Sequence, residues 1–84
     1  MKTKEGSTTN KAEQAAQQHF NKHENIQDLA VILKGETEAW VSIHRRDEGQ
    51  LLSVDYPSTY ENLEYAAQCL LRRFDVVRTE VVYA

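Results

Sequence analysis

The sequence has little cysteine and little glycine, and each scarcity argues against a class of protein. The single cysteine, Cys69, cannot form an internal disulfide, so the chain lacks the paired cysteines that stabilise many small secreted domains. The three glycines are isolated from one another, and neither a glycine-rich phosphate loop nor a nucleophile elbow is present. We therefore find no sequence support for catalysis, and we expect a reducing, cytoplasmic location.

Long apolar runs and blocks of like charge are also missing. No run approaches the roughly 18 apolar residues of a membrane span, and residues 1–10 lack the apolar segment of a signal peptide. The net charge of −3 provides no global field that would attract nucleic acid or an acidic membrane. We expect no membrane partner, and nucleic acid is disfavoured.

The composition predicts a folded protein. A chain of 84 residues has room for one domain, and its apolar fraction of 40% and charged fraction of 27% are typical of globular proteins. After Met1, residues 1–9 contain no apolar side chain that folding could bury, so we predict that they form a flexible tail. Residues 10–84 form the predicted single domain.

Three segments in the middle of the chain have the pattern of an antiparallel meander. Residues 29–33 are a continuous apolar run, whereas residues 38–45 and 51–56 alternate between apolar and polar positions, as half-buried strands do. Pro57 follows the third segment and cannot donate to a strand ladder. The pattern predicts three sequential strands.

Two helices are predicted, one on each side of this meander in sequence. Residues 10–24 have a helical stripe of alanines with Phe20 as its only large apolar residue, which indicates weak anchoring or close docking. Residues 58–74 carry a stronger apolar stripe, and Ser58 with Glu61 matches the capping box that begins many helices.

A final strand over residues 76–83 completes the predicted fold. A helical connection normally leads to a parallel partner strand, so this strand should run beside the first one. The predicted fold is α+β with the element order α-β-β-β-α-β. Its four-stranded, mostly antiparallel sheet has the order 4-1-2-3, with two helices on one face.

The residues with potential chemistry are few. His19 and His23 lie four apart on the first helix and could share a metal ion, but two ligands do not make a site. They also suit the edge of the core, so we predict no metal and no cofactor. Cys69 lies off the apolar stripe of its helix and is expected to be a simple thiol.

Trp40 is the most informative residue for function. If its alternating neighbours face the helices, Trp40 lies on the opposite face of the sheet, where we expect it to anchor a protein interface. The predicted interface residues share that face or its rim, and they are Trp40, Ile32, His44, Arg46 and Arg78. The alternative is a reversed phase, with Trp40 in the core and Ala39 outside.

The leading hypothesis is a non-catalytic interaction module that binds a protein partner or itself as a homodimer, as a regulator or inhibitor would. A second hypothesis is a nucleic-acid-binding regulator that uses an arginine and tryptophan surface formed by Arg45, Arg46, Arg72, Arg73 and Trp40. A metal-dependent or thiol enzyme that uses His19, His23 and Cys69 is the third.

Overall fold

The computed structural model describes residues 4–74 and 79–83, with side chains from residue 11 onward. Its elements follow the predicted order. They are α1 (Lys4–Lys22), β1 (Asp28–Lys34), β2 (Glu38–Arg45), β3 (Gly49–Pro57), α2 (Leu63–Arg72) and β4 (Val81–Tyr83). Arg78 and the first part of the predicted last strand lie outside the described residues.

The four strands form one mixed sheet with the order β3-β2-β1-β4. β1 pairs antiparallel with β2, and β2 pairs antiparallel with β3. β4 runs parallel to β1, as the helical connection predicted. The predicted strand order is confirmed, and the central position of β1 explains its continuous apolar run, because both of its faces are buried.

The two helices cover opposite faces of the sheet, so the prediction of both on one face is wrong. α2 packs against one face of β1 and β2 through Leu63, Ala67, Leu70 and Leu71. α1 packs against the other face, with Leu29, Val31 and Leu33 of β1 beneath it. A central strand that is apolar on both sides needs a cover on each, which requires one helix per face.

Helix α1 begins earlier than predicted and docks closely. It starts at Lys4, so the residues from 4 to 9 that were predicted as a tail are helical. Ala12, Ala16 and Phe20 are all buried against the sheet. The two alanines allow the helix backbone to approach the sheet, which favours close docking over weak anchoring.

The C-terminal end of α1 is held by Arg46. Its guanidinium group donates hydrogen bonds to the carbonyl oxygens of Phe20, His23 and Ile26 and lies 4.9 Å from the centre of the Phe20 ring. A cation at a helix C-terminus satisfies carbonyls that have no partner within the helix. Arg46 therefore ties the end of α1 to the end of β2.

Helix α2 begins at Leu63, five positions after the predicted start. The Ser58 hydroxyl donates to the Glu36 carbonyl at 2.9 Å, and the Ser58 amide donates to the Thr37 carbonyl at 3.0 Å. These bonds join Ser58 to the turn between β1 and β2, so it does not cap the helix. Within the described residues, neither helix combines the length and apolar character needed to cross a membrane.

Candidate functional site

A groove of about 640 Å³ lies between α1 and the sheet. α1 forms one wall, and the ends of β1 and β4 form the other. Leu33, Trp40 and Val82 provide the apolar part of its lining. α1 therefore leaves part of the sheet uncovered along its side.

The groove carries concentrated positive charge. Lys11, Lys22 and Lys34 line it, and no aspartate or glutamate is among the described residues of its lining. They are also all of the lysines whose side chains the structure describes. In a chain with a net charge of −3, this arrangement gathers the described lysines in one groove.

Trp40 lies in this groove and is half-buried. Its neighbours Ala39 and Val41 are fully buried under α2, so Trp40 lies on the opposite face, and the alternative of a reversed phase is wrong. A Cβ atom added at Gly35 would lie 2.9 Å from the Glu38 carbonyl oxygen and 3.1 Å from the Trp40 ring. The absence of a side chain at Gly35 thus leaves room for the indole ring.

The other predicted interface residues do not join Trp40. Ile32 is opposite Val41 in the sheet register and is fully buried beneath α2. His44 shares the α1 face with Trp40 but is buried, and Arg46 is engaged by the carbonyls at the end of α1. Among the described residues of the predicted interface, only Trp40 lines the groove.

His44 is a buried polar residue in the layer between α1 and the sheet. Its Nε2 atom lies 2.8 Å from the Ser42 hydroxyl oxygen, and the cross-strand neighbours in register with it are Leu29 and Gln50. Desolvation by burial lowers the pKa of His44 from 6.5 to about 4. The imidazole is therefore neutral at physiological pH.

The arginines of the nucleic-acid hypothesis do not form one surface with Trp40. Arg45 donates to both carboxylate oxygens of Asp28, at 2.9 and 3.1 Å, and these contacts raise the pKa of its guanidinium group. Arg72 and Arg73 are exposed at the end of α2, on the other side of the sheet. The basic and aromatic parts of that hypothetical surface are thus separated.

A second cluster lies next to the groove. The Nε2 atom of His19 donates to a carboxylate oxygen of Glu80 at 2.5 Å, and the ring centres of His19 and His23 are 4.4 Å apart. One potential ligand atom from each of these residues lies within 4.8 Å of the others. Glu80, immediately before β4, thus joins the two histidines that the sequence had singled out.

Cys69 does not join this cluster. It is a half-buried free thiol on α2, whereas His19 and His23 belong to the region of α1. Because the two helices cover opposite faces of the sheet, the described structure separates the thiol from both histidines. The combination required by the thiol-enzyme hypothesis is not assembled.

Sequence reasoning missed the lysines of the groove and Glu80. The lysines had a signal, because Lys11, Ala15, Gln18 and Lys22 follow a helical spacing of four, three and four residues, and all four line the groove. Glu80 had no such signal in the sequence, because it is 61 residues from His19. Only the parallel pairing of β4 with β1 brings it to α1.

No known family model matches the chain, and comparison with curated proteins and with solved structures finds no similar protein. The groove and the cluster beside it are therefore the features that indicate a function.

Proposed function

We propose that the protein is a non-catalytic binding module that holds an acidic segment of a partner protein in the groove beside α1. The observation that carries this proposal is the meeting of Lys11, Lys22, Lys34 and Trp40 in one groove without an acidic residue among its described lining. Such a lining is complementary to a segment that carries both carboxylates and apolar side chains.

The residue types suit this role. A half-buried tryptophan provides a large contact area at low conformational cost, and tryptophan is enriched among residues that dominate binding energy. Lysine side chains place their apolar stems along a surface while their ammonium groups stay in water. The lysines of the groove can therefore adjust to carboxylates at different positions along a bound segment.

The occupant could instead be a second copy of this chain. Two observations argue against the predicted homodimer across the outer sheet face. α1 covers much of that face, and Ile32 lies on the α2 face instead. Pairing through an edge strand, β3 or β4, stays a prediction. We favour a separate partner because the charge of the groove provides a specific reason for binding an acidic segment.

The proposal is tested by selecting ligands from a random peptide library displayed on phage. We expect enrichment of peptides with net negative charge and at least one large apolar residue. Trp40 is the only tryptophan in the chain, so its fluorescence reports binding of a selected peptide directly. The affinity should fall as salt is added, because screening weakens the attraction between exposed charges.

A charge-reversal pair provides the control. Lys34→Glu in the groove should weaken peptide binding by about tenfold or more, whereas Arg73→Glu, the same charge change on the far side of the sheet, should leave it within about twofold. Enrichment of basic or uncharged peptides, or no enrichment, would contradict the proposal. Tight binding of single-stranded DNA in preference to acidic peptides would support the nucleic-acid alternative, and concentration-dependent dimerisation blocked by Lys34→Glu would identify a second copy as the occupant.

A further inference from the structure

We propose that His19, His23 and Glu80 bind a divalent transition-metal ion such as Zn²⁺ at the end of α1. This inference does not depend on the acidic-segment proposal. His19 also lines the groove, but the inference rests on the donor atoms of His19, His23 and Glu80 and not on the lysines or Trp40. Its failure would leave the groove and its lysines unaffected.

The geometry is close to what zinc requires. Zinc with tetrahedral nitrogen and oxygen ligands at about 2.0–2.2 Å places those ligands roughly 3.4 Å from one another. The three donor atoms here lie within 4.8 Å of one another, and His19 is in direct contact with Glu80. Displacements of about 1 Å, which small side-chain rotations provide, would bring them to ligand positions.

Backbone hydrogen bonds hold the two segments that carry the ligands. The amide of His23 donates to the carbonyl of His19 at 3.0 Å, which keeps the two imidazoles on the same side of α1. The carbonyl of Glu80 accepts a hydrogen bond from the Ala30 amide at 3.2 Å, which fixes the start of β4 against β1. The ligands therefore come from two segments whose separation is set by the fold.

The donor set selects the kind of metal. Two imidazoles and one carboxylate suit Zn²⁺ and similar borderline ions, whereas Mg²⁺ and Ca²⁺ prefer oxygen ligands. His23 and Glu80 also line an open depression of about 340 Å³. A bound ion would therefore keep a coordination position for water or for a ligand from outside, as three-ligand zinc sites do.

Competing contacts set a limit on the affinity. Glu80 is already engaged with His19, so the metal must replace that contact. Lys22 lines the same depression and repels a cation, while Glu24, which also lines it, attracts one. We expect reversible binding at this site.

Zinc titration of protein without an added histidine tag tests the proposal. The chain has three histidines, so their ring resonances in NMR spectra provide an internal comparison. Zn²⁺ should shift the signals of His19 and His23 and leave those of buried His44 in place. Mg²⁺ should leave all three unchanged, and calorimetry should detect one zinc ion per chain.

Two variants test the ligands, and two others serve as controls. His23→Gln, at an exposed position where folding should be unaffected, is expected to lower zinc affinity by about tenfold or more. The matched control Glu24→Gln should change it by less than about twofold, and Cys69→Ser should also leave it unchanged. The proposal is overturned if excess zinc leaves the signals of His19 and His23 in place, or if His23→Gln and Glu80→Gln bind zinc as the parent protein does.

Discussion

The two faces of the sheet differ in what covers them. On one face, leucines of α2 pack over Ala30, Ile32 and Val41, and the contact is apolar throughout its centre. On the other face, alanines of α1 lie over a surface that includes buried His44 and half-buried Trp40. The α2 face therefore mainly stabilises the fold, whereas the α1 face combines polar groups with an open groove.

The largest effect is expected on the α2 face. Leu70→Ala should lower the free energy of unfolding by about 2–5 kcal/mol, because it removes buried methyl groups and leaves a cavity. Cys69→Ser, at the adjacent half-buried position, should cost less than about 1 kcal/mol. Urea denaturation measures both. Equal losses at the two positions would contradict the orientation of α2.

The α1 face should make stability depend on pH through His44. Burial lowers the pKa of this residue from 6.5 to about 4, so between these values the unfolded chain binds more protons than the folded one. The stabilising contribution is therefore complete above about pH 6.5 and is lost as the pH falls towards 4. The shift corresponds to about 3 kcal/mol over that window.

Denaturation curves between pH 7 and pH 4.5 test this contribution. The parent protein should lose stability over this range, and His44→Gln should lose clearly less, whatever its stability at pH 7. If His44→Gln lost as much stability as the parent protein over this range, His44 would not be the source of the pH dependence.

A smaller effect is expected at Trp40. Trp40→Glu should leave a folded protein that is destabilised by about 1–2 kcal/mol, because only part of the indole area is buried. Val41→Glu changes the next residue on the same strand, and it should unfold the chain because an unpaired carboxylate would enter the α2 core. Circular dichroism during heating distinguishes the two. Unfolding of both variants would mean that the two faces do not differ as described.

The alternating pattern of β2 was enough to predict its bounds and to place Ala39 and Trp40 on opposite faces. The same method failed for Ile32. A strand that is apolar at every position does not reveal which residues face which side, and Ile32 proved to be opposite Val41 rather than beside Trp40.

The positions of the helices were predicted less well, for two physical reasons. The alanine stripe of α1 indicates a close contact without specifying which sheet face it covers. At α2, the residues from Ser58 to Glu61 match a capping box, but tertiary bonds from Ser58 to the turn at Glu36 and Thr37 took precedence. Local signals are informative only where no competing long-range partner exists.

The contacts that hold α1 have a consequence for protein synthesis. The Arg46 side chain that binds the Phe20 carbonyl comes 26 residues later in the chain, and the Glu80 that contacts His19 comes 61 residues later. During translation α1 emerges well before either partner. Until those partners are synthesised, the alanine-rich stripe of α1 exposes little apolar surface. This should limit premature association of the nascent chain.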